Sequence, residues 1–341
     1  MKKIVFILFM LCSLSTLYAQ KEIKIMEYNV ENLFDTKDDT LTNDKEYLPG
    51  GYRGWNYDRY RTKLNNISKV IVAAGQWESP ALIGLCEIEN RNVLDDLTKN
   101  TGLRNLGYKI VQYESPDARG IDVAILYRPD EFKLINSRPI RVKLPNTTST
   151  TRDILYASGE LDNGDTLHLF MNHFPSRTGG ELESAERRDA VAGYLRRAVD
   201  SVLNIHQEAK ILITGDFNDM PDNNSILKVL GANPLPKGAD NYSEKQLYNL
   251  TYKFHDAGTS GSYFFQGQWN MLDQLIVSGS LMKPTSKTRV DESSVRIFSP
   301  DWLLEDDKNS AVKRPMRTYY GMKYHGGYSD HLPVLVNLVL E

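Results

Sequence analysis

The chain has 341 residues, 41% of them hydrophobic and 25% charged, and a formal net charge of −3. This is the composition of an ordinary soluble globular protein, and it excludes any global electrostatic attraction to nucleic acid. A polyanion would have to be held by a local basic patch or by bound metal.

The first residues read as a targeting segment. Lys2 and Lys3 give a short positive region, residues 4–11 are apolar, and small residues lead to a cleavage site after Ala19. Residues 1–19 are therefore expected to be a signal peptide. Residues 20–341 would then form one exported domain, periplasmic or secreted and monomeric, with no transmembrane segment. Loss of Lys2 and Lys3 takes the formal charge from −3 to −5. Cys12 leaves with the signal, so Cys86 has no partner and is expected to be a small buried hydrophobe.

Apolar and β-branched runs predict strands over 23–30, 82–88, 121–127, 166–171, 211–214, 272–277 and 332–340. Helical spacing predicts helices over 57–74 and 182–203. The alternation of strands and helices early, with more strands later, predicts a mixed α/β sheet protein. Residues 35–55 and 300–327 read as long surface loops that could face a substrate. The second loop carries Lys313, Arg314, Arg317 and Lys323 among Tyr319, Tyr320 and Tyr324. Cations alternating with aromatics suit a nucleic-acid strand whose phosphates need neutralising and whose bases can stack.

Short polar signatures stand where these strands run out: Tyr28-Asn29-Val30-Glu31-Asn32, Cys86-Glu87, Asn172-His173, Gly215-Asp216-Phe217-Asn218 and Ser329-Asp330-His331. Acids, amides and imidazoles at strand ends converge on one rim of a sheet. Carboxylate and amide oxygens suit Mg²⁺, and two histidines suit a phosphate and its proton transfers. Gly215 and Asn218 give Asp216 a tight turn, whereas Asp273 interrupts an apolar run and needs a partner. Singly, each position has a structural explanation; together they indicate a metal-dependent phosphoester hydrolase.

Taken in order, Tyr-Asn-Val-Glu-Asn-Leu-Phe-Asp around Asn29, Cys-Glu-Ile-Glu-Asn at Glu87, Asn-His-Phe-Pro-Ser-Arg at His173, Gly-Asp-Phe-Asn-Asp at Asp216 and Asn218, Leu-Asp-Gln at Asp273 and Ser-Asp-His-Leu-Pro-Val at Asp330 and His331 form one pattern. The set resembles the deoxyribonuclease I-like endonuclease/exonuclease/phosphatase superfamily over nearly all of the chain. That resemblance implies a four-layer α/β/β/α sandwich, two mixed sheets flanked by helices, with the site at one edge.

It also implies that Asn29 and Glu87 hold Mg²⁺ or Mn²⁺, with Asp330 and Asp216 close by. His331 would be the general base, oriented by Asp273 or Asp330, with Asp216 as the alternative base. His173 would serve the phosphate side and Asn218 would position water or an oxygen. Asp122 would orient His173, and Arg177 would contact a phosphate. Met271-Leu272-Asp273-Gln274 departs from the inositol phosphatase branch, and Tyr28-Asn29-Val30 departs from the abasic-site repair branch. The leading expectation is thus a secreted metal-dependent phosphodiesterase acting on nucleic acid. A phosphatase or sphingomyelin-type phosphodiesterase is the alternative, and a non-catalytic binding protein is the third possibility.

Overall fold

Alternate side chains of strand β1 (Lys21–Leu33) enter two different cores. Ile23 and Ile25 face one, while Met26 and Tyr28 face the other, because successive residues of a strand point to opposite faces. The computed structural model describes residues 20–341 except 237, 239–241, 309 and 311, so the expected signal segment lies outside the described residues.

After β1 come helix α1 (Tyr57–Gly75), β2 (Leu82–Ile88), α2 (Arg91–Lys99), β3 (Lys109–Gln112), β4 (Asp122–Tyr127), β5 (Lys133–Ile140), β6 (Ile154–Glu160) and β7 (Thr166–His173). Next are α3 (Glu181–Ile205), β8 (Lys210–Asp216), a π-helical segment at Ser225–Leu230, β9 (Ala232–Pro234), β10 (Leu247–Asn249) and α4 (Tyr252–Ala257). The last part holds the hairpin β11 (Tyr263–Phe265) and β12 (Gln268–Asn270), then β13 (Asp273–Ser278) and β14 (Thr288–Ile297). Two short hairpins follow, β15 (Leu304–Asp306) with β16 (Lys313–Pro315) and β17 (Tyr319–Tyr320) with β18 (Lys323–Tyr324), before β19 (Val334–Leu340).

Two large mixed sheets result. One has the order β14-β19-β1-β2-β4-β3, and the other β5-β6-β7-β8-β13-β10-β9. Parallel pairing of β1 with β2 and of β7 with β8 gives each sheet a crossover that carries a helix. Helix α1 starts at Asn56, whose side chain accepts from the Arg59 amide. It covers the outer face of the first sheet with Leu64, Ile67 and Ile71. Helix α3 covers the outer face of the second with Leu195, Val199 and Leu203. The inner faces meet through Ile25, Leu82, Ile125, Leu169, Met171, Leu212, Leu275 and Val336. This is the four-layer sandwich expected.

Helix α2 and strands β5, β6 and β14 were not legible in the chain's hydrophobic pattern. β5 is a half-exposed edge strand containing Pro139, which blurs its alternation. β14 shifts register between Asp291 and Arg296, which breaks its period of two. The loop expected over 300–327 carries the two short hairpins β15–β16 and β17–β18.

Close sheet contact depends on Gly84 in β2. A Cβ there would lie 2.4 Å from Met171 Sδ and 3.6 Å from Thr214 Cγ2, both in the opposite sheet. Gly84→Val should therefore destabilise the fold by about 1–3 kcal/mol through overpacking. Urea unfolding should show a lower midpoint with an unchanged slope, and Met171→Ala should recover part of the loss. An unaltered midpoint in Gly84→Val would contradict this packing.

Candidate active site

The site lies where the apolar filling between the two sheets ends. On β1 the inward positions continue from Ile23 and Ile25 to Glu27 and Asn29; on β7 they run through Leu167, Leu169 and Met171 to His173. On β8 they run through Leu212 and Thr214 to Asp216, and β13 begins inward at Asp273 before Leu275 and Val277. Strand periodicity thus delivers an amide, an imidazole and three carboxyls to one end of the inter-sheet layer. Glu87 is out of phase with Leu82 and Cys86. A register shift between Cys86 and Ile88 and a φ of 64° at Glu87 turn it to the rim.

Asp216 is the centre of the cluster. Its Oδ2 accepts from Asn29 Nδ2 at 3.1 Å and lies 3.5 Å from His173 Nε2 and 3.9 Å from His331 Nε2. Its Oδ1 accepts from the Asn218 amide at 2.8 Å, closing the turn predicted from Gly215 and Asn218. Gly215 is required there: its φ is 136°, and a Cβ would lie 1.9 Å from the Asn172 carbonyl oxygen. Asn218 Nδ2 donates to the Phe174 carbonyl at 3.0 Å, which ties this turn to the end of β7. On the other side, Glu87 Oε2 accepts from the Asn32 amide at 2.8 Å, and its Oε1 lies 3.9 Å from His173 Nε2.

The two histidines occupy different electrical environments. His331 Nδ1 is 2.6 Å from Asp273 Oδ2. Burial would lower the proton affinity of His331, but the adjacent Asp273, followed by Asp216, raises it well above the ordinary value of 6.5. No carboxylate is hydrogen-bonded to His173 among the described residues: Asp216 and Glu87 stand 3.5 Å and 3.9 Å from its Nε2, and its Nδ1 makes no hydrogen bond. Burial, with Arg152 and Arg119 nearby, holds His173 well below 6.5 and so neutral. Of the two acids expected to orient His331, Asp273 is the one hydrogen-bonded to it, whereas Asp330 accepts from Arg317. Ser262 holds Asp273 by accepting from its amide at 3.0 Å, and Ser329 holds the His331 amide at 3.1 Å.

The donor set fits a hard divalent cation. Burial pushes the Asp216 carboxyl up to about 7, and Asp273 and Glu87 add to the shift. Glu27, buried beneath the cluster, is raised well above the usual carboxylate range by burial and by Asp273 and Asp216. Such crowding of acids at a protein interior is relieved by a cation with oxygen ligands. Asp216, Asp273 and His331 present ligand atoms all within 4.8 Å of one another, a buried group able to hold a metal. The Asp273–His331 bond already uses two of those ligands. Glu87, Asn29 and Asp216 offer further oxygen donors at the same rim.

Several expected residues have other partners. Asp122 lies on β4 out of phase with the inward Val123 and Ile125, so it cannot orient His173. It accepts instead from Ser115 and from Gln112 Nε2 at 2.9 Å. Arg177 donates to the Asn218 carbonyl at 2.8 Å, to Asn223 and to Glu181, so it braces the β8 turn. Asp330 Oδ2 accepts from Arg317 at 2.8 Å, and Arg317 also pairs with Glu31. Arg314 pairs with Glu305 and Asp307. Of the loop's tyrosines, Tyr319 packs toward Trp55, and Tyr324 lies under Arg59 of α1.

The chain's signatures did not single out Glu27 or Arg152. Glu27 was legible as a carboxylate on the inward phase of an otherwise apolar strand. Arg152 is buried and donates to the carbonyls of His173 and Phe174 while paired with Asp117 at 2.8 Å. It lies just before β6, and nothing local in the sequence marks it.

The model of the Endonuclease/Exonuclease/phosphatase family matches residues 24–339. No curated protein sequence matches the chain. Among solved structures, TDP2 from D. rerio complexed with a single-strand DNA product is similar at a TM-score of 0.55 and 15% identity, covering 93% of this chain and 98% of that one. The human Nocturnin catalytic domain with bound sulfate has a TM-score of 0.55 and 15% identity, covering 94% and 97%. A family protein from Bacteroides thetaiotaomicron has a TM-score of 0.54 and 16% identity, covering 95% and 100%. At these identities the structures testify to the fold alone. The family match runs from within β1 to within β19 and spans every strand that carries a site residue, so the chain belongs to the endonuclease/exonuclease/phosphatase family.

Proposed function

We propose that this chain is a divalent-metal-dependent phosphodiesterase acting on nucleic acid, with His331 as the base that deprotonates the attacking water. The observation that carries this reading is the 2.6 Å bond between His331 Nδ1 and Asp273, with Nε2 turned toward Asp216. Asp273 accepts the hydrogen bond from Nδ1–H, so in the neutral imidazole the lone pair available to accept a proton lies on Nε2. As the water oxygen bonds to phosphorus, its proton passes to Nε2, and the opposite P–O ester bond breaks with its electron pair leaving on the ester oxygen, which takes a proton from solvent water.

His173, neutral and buried beside Glu87 and Asp216, donates a hydrogen bond on the phosphate side. Asn218, fixed by Phe174 and Asp216, positions an oxygen of the reacting group. Asn29 and Glu87 would hold Mg²⁺ or Mn²⁺, whose contribution is to neutralise a non-bridging oxygen and the charge developing on phosphorus. The nucleic-acid substrate class is supported by TDP2, a protein of the same fold solved with a single-strand DNA product. A phosphatase on the same scaffold is the second reading. We further read residues 1–19 as an export signal, on the strength of Lys2, Lys3 and the apolar residues 4–11. Among the described residues, no helix is long and apolar enough to cross a membrane.

Hydrolysis of a phosphodiester should stop in excess chelator and return with Mg²⁺ or Mn²⁺. Glu87→Gln keeps the side-chain shape but removes an anionic ligand, and should cut turnover with little change in melting temperature. Full activity in chelator would refute the metal requirement.

Asp273→Asn tests the base. The carboxylate raises the proton affinity of His331, and a base works only when unprotonated. Its removal should therefore shift the acid limb of the kcat/KM profile to lower pH. Because Asp273 also orients the ring, the plateau should drop by about 10²–10⁴-fold. An unmoved acid limb would assign the titrating base to another group, with Asp216 next in line.

A further inference from the structure

A cavity of about 470 Å³ is lined by Tyr263, Phe265, Tyr320, Arg314, Arg317 and Asp330, and reaches His331 through Tyr263. On one wall, hairpin β11–β12 places Tyr263 and Phe265 on the same face, because they stand two apart on one strand. Their rings are stacked within 15° of parallel at 6.3 Å between centroids. Tyr263 also lies 4.7 Å from the His331 ring, so this aromatic pair leads directly away from the catalytic imidazole. Phe265, at the outer end, is 54% exposed, and an aromatic ring left that open beside a reactive centre has room to stack on a ligand. Phe264 points to the other face and packs edge-on against Trp269, which fixes the hairpin.

Tyr320 forms another wall, with the Arg314 guanidinium 4.2 Å from its ring centroid. The cations here are already matched. Arg314 pairs with Glu305 and Asp307, and Arg317 pairs with Glu31 and Asp330. Neutralised guanidinium groups offer little to a further phosphate. Aromatic faces with polar edges suit a flat heteroaromatic ring better than an alkyl chain or a polyol.

We propose that this slot receives the nucleobase of the nucleotide joined to the scissile phosphate, and so selects nucleotidyl phosphodiesters over lipid or inositol esters. The inference rests on the phosphodiesterase reading above and adds its specificity. It replaces a phosphate-gripping role for Arg314 and Arg317 with a base-stacking one for Phe265 and Tyr320.

The test is a coupling experiment on defined substrates. Hydrolysis of the dinucleoside monophosphate dTpdT is compared with that of its two analogues, each lacking one thymine, in the presence of Mn²⁺. One analogue should lose about tenfold or more in kcat/KM, the scale of a lost stacked base. Phe265→Ala and Phe265→Leu should each impose a similar loss on dTpdT, and Phe265→Trp should restore it. The losses from removing the ring and removing the base should not multiply, since each deletes the same stack.

Equal kcat/KM for dTpdT and both analogues would overturn the inference while leaving the phosphodiesterase reading standing. Fully multiplicative losses would also overturn it. Hydrolysis of none of the three substrates by the wild-type enzyme would overturn the phosphodiesterase reading, and this inference with it.

Discussion

Four carboxyls, Glu27, Glu87, Asp216 and Asp273, crowd one end of an otherwise apolar layer, and their mutual repulsion in a buried place is the constraint around which the structure is organised. Burying a charge is costly unless it is paired. Here three of the four have a partial remedy: Asp273 bonds His331, Asp216 accepts from Asn29 and Asn218, and Glu87 accepts from a backbone amide. None of these remedies neutralises the cluster as a whole. The carboxyl of Asp216 is left titrating at about 7, near the point where a cation or a proton can decide its state. A cation that neutralised Asp216 would also remove one of the carboxylates holding a proton on His331. Metal binding and the proton affinity of His331 are thereby linked through one side chain.

The backbone around this cluster is held in conformations that side chains rarely adopt. Glu31 and Asn32 have φ of 53°, Glu87 of 64° and Asn218 of 49°. Left-handed backbone at non-glycine residues costs of order 1–3 kcal/mol each, and it persists only where the surroundings over-determine it. The surroundings here do so. Asn29 Oδ1 accepts from the Glu31 amide, Ser329 Oγ donates to the Asn29 carbonyl, and Thr318 donates its amide to Glu31. Buried Lys63 donates to Thr318 Oγ1 and to the Tyr328 carbonyl, connecting α1 to the loop before His331. These hydrogen bonds tie the strained rim to α1 and to the loop before His331.

Much of this was written in the chain's periodicity. The inward phase of β1, β7, β8 and β13 can be read from Ile23, Leu167, Leu212 and Leu275, and counting by two reaches Asn29, His173, Asp216 and Asp273. The same counting would have admitted Glu27 and ruled out Asp122, which sits beside rather than in phase with Val123 and Ile125. Glu87 is legible only as a motif, because a bulge moves it off phase. The partners of the arginines were not legible at all. Whether Arg314 meets a phosphate or Glu305 depends on a hairpin contact nine residues apart, and whether Arg317 is free depends on Glu31, which is 286 residues away in the chain. Composition shows a cationic loop, but only tertiary structure shows that its charges are paired.

The most direct test of this arrangement is where a metal ion binds. Anomalous diffraction from crystals soaked with Mn²⁺ should place the ion against the Glu87 carboxylate at the β1–β2 rim. The Asp273–His331 bond should remain intact. An ion seated instead among Asp216, Asp273 and His331, with that bond broken, would make His331 a ligand rather than a base and contradict the mechanism.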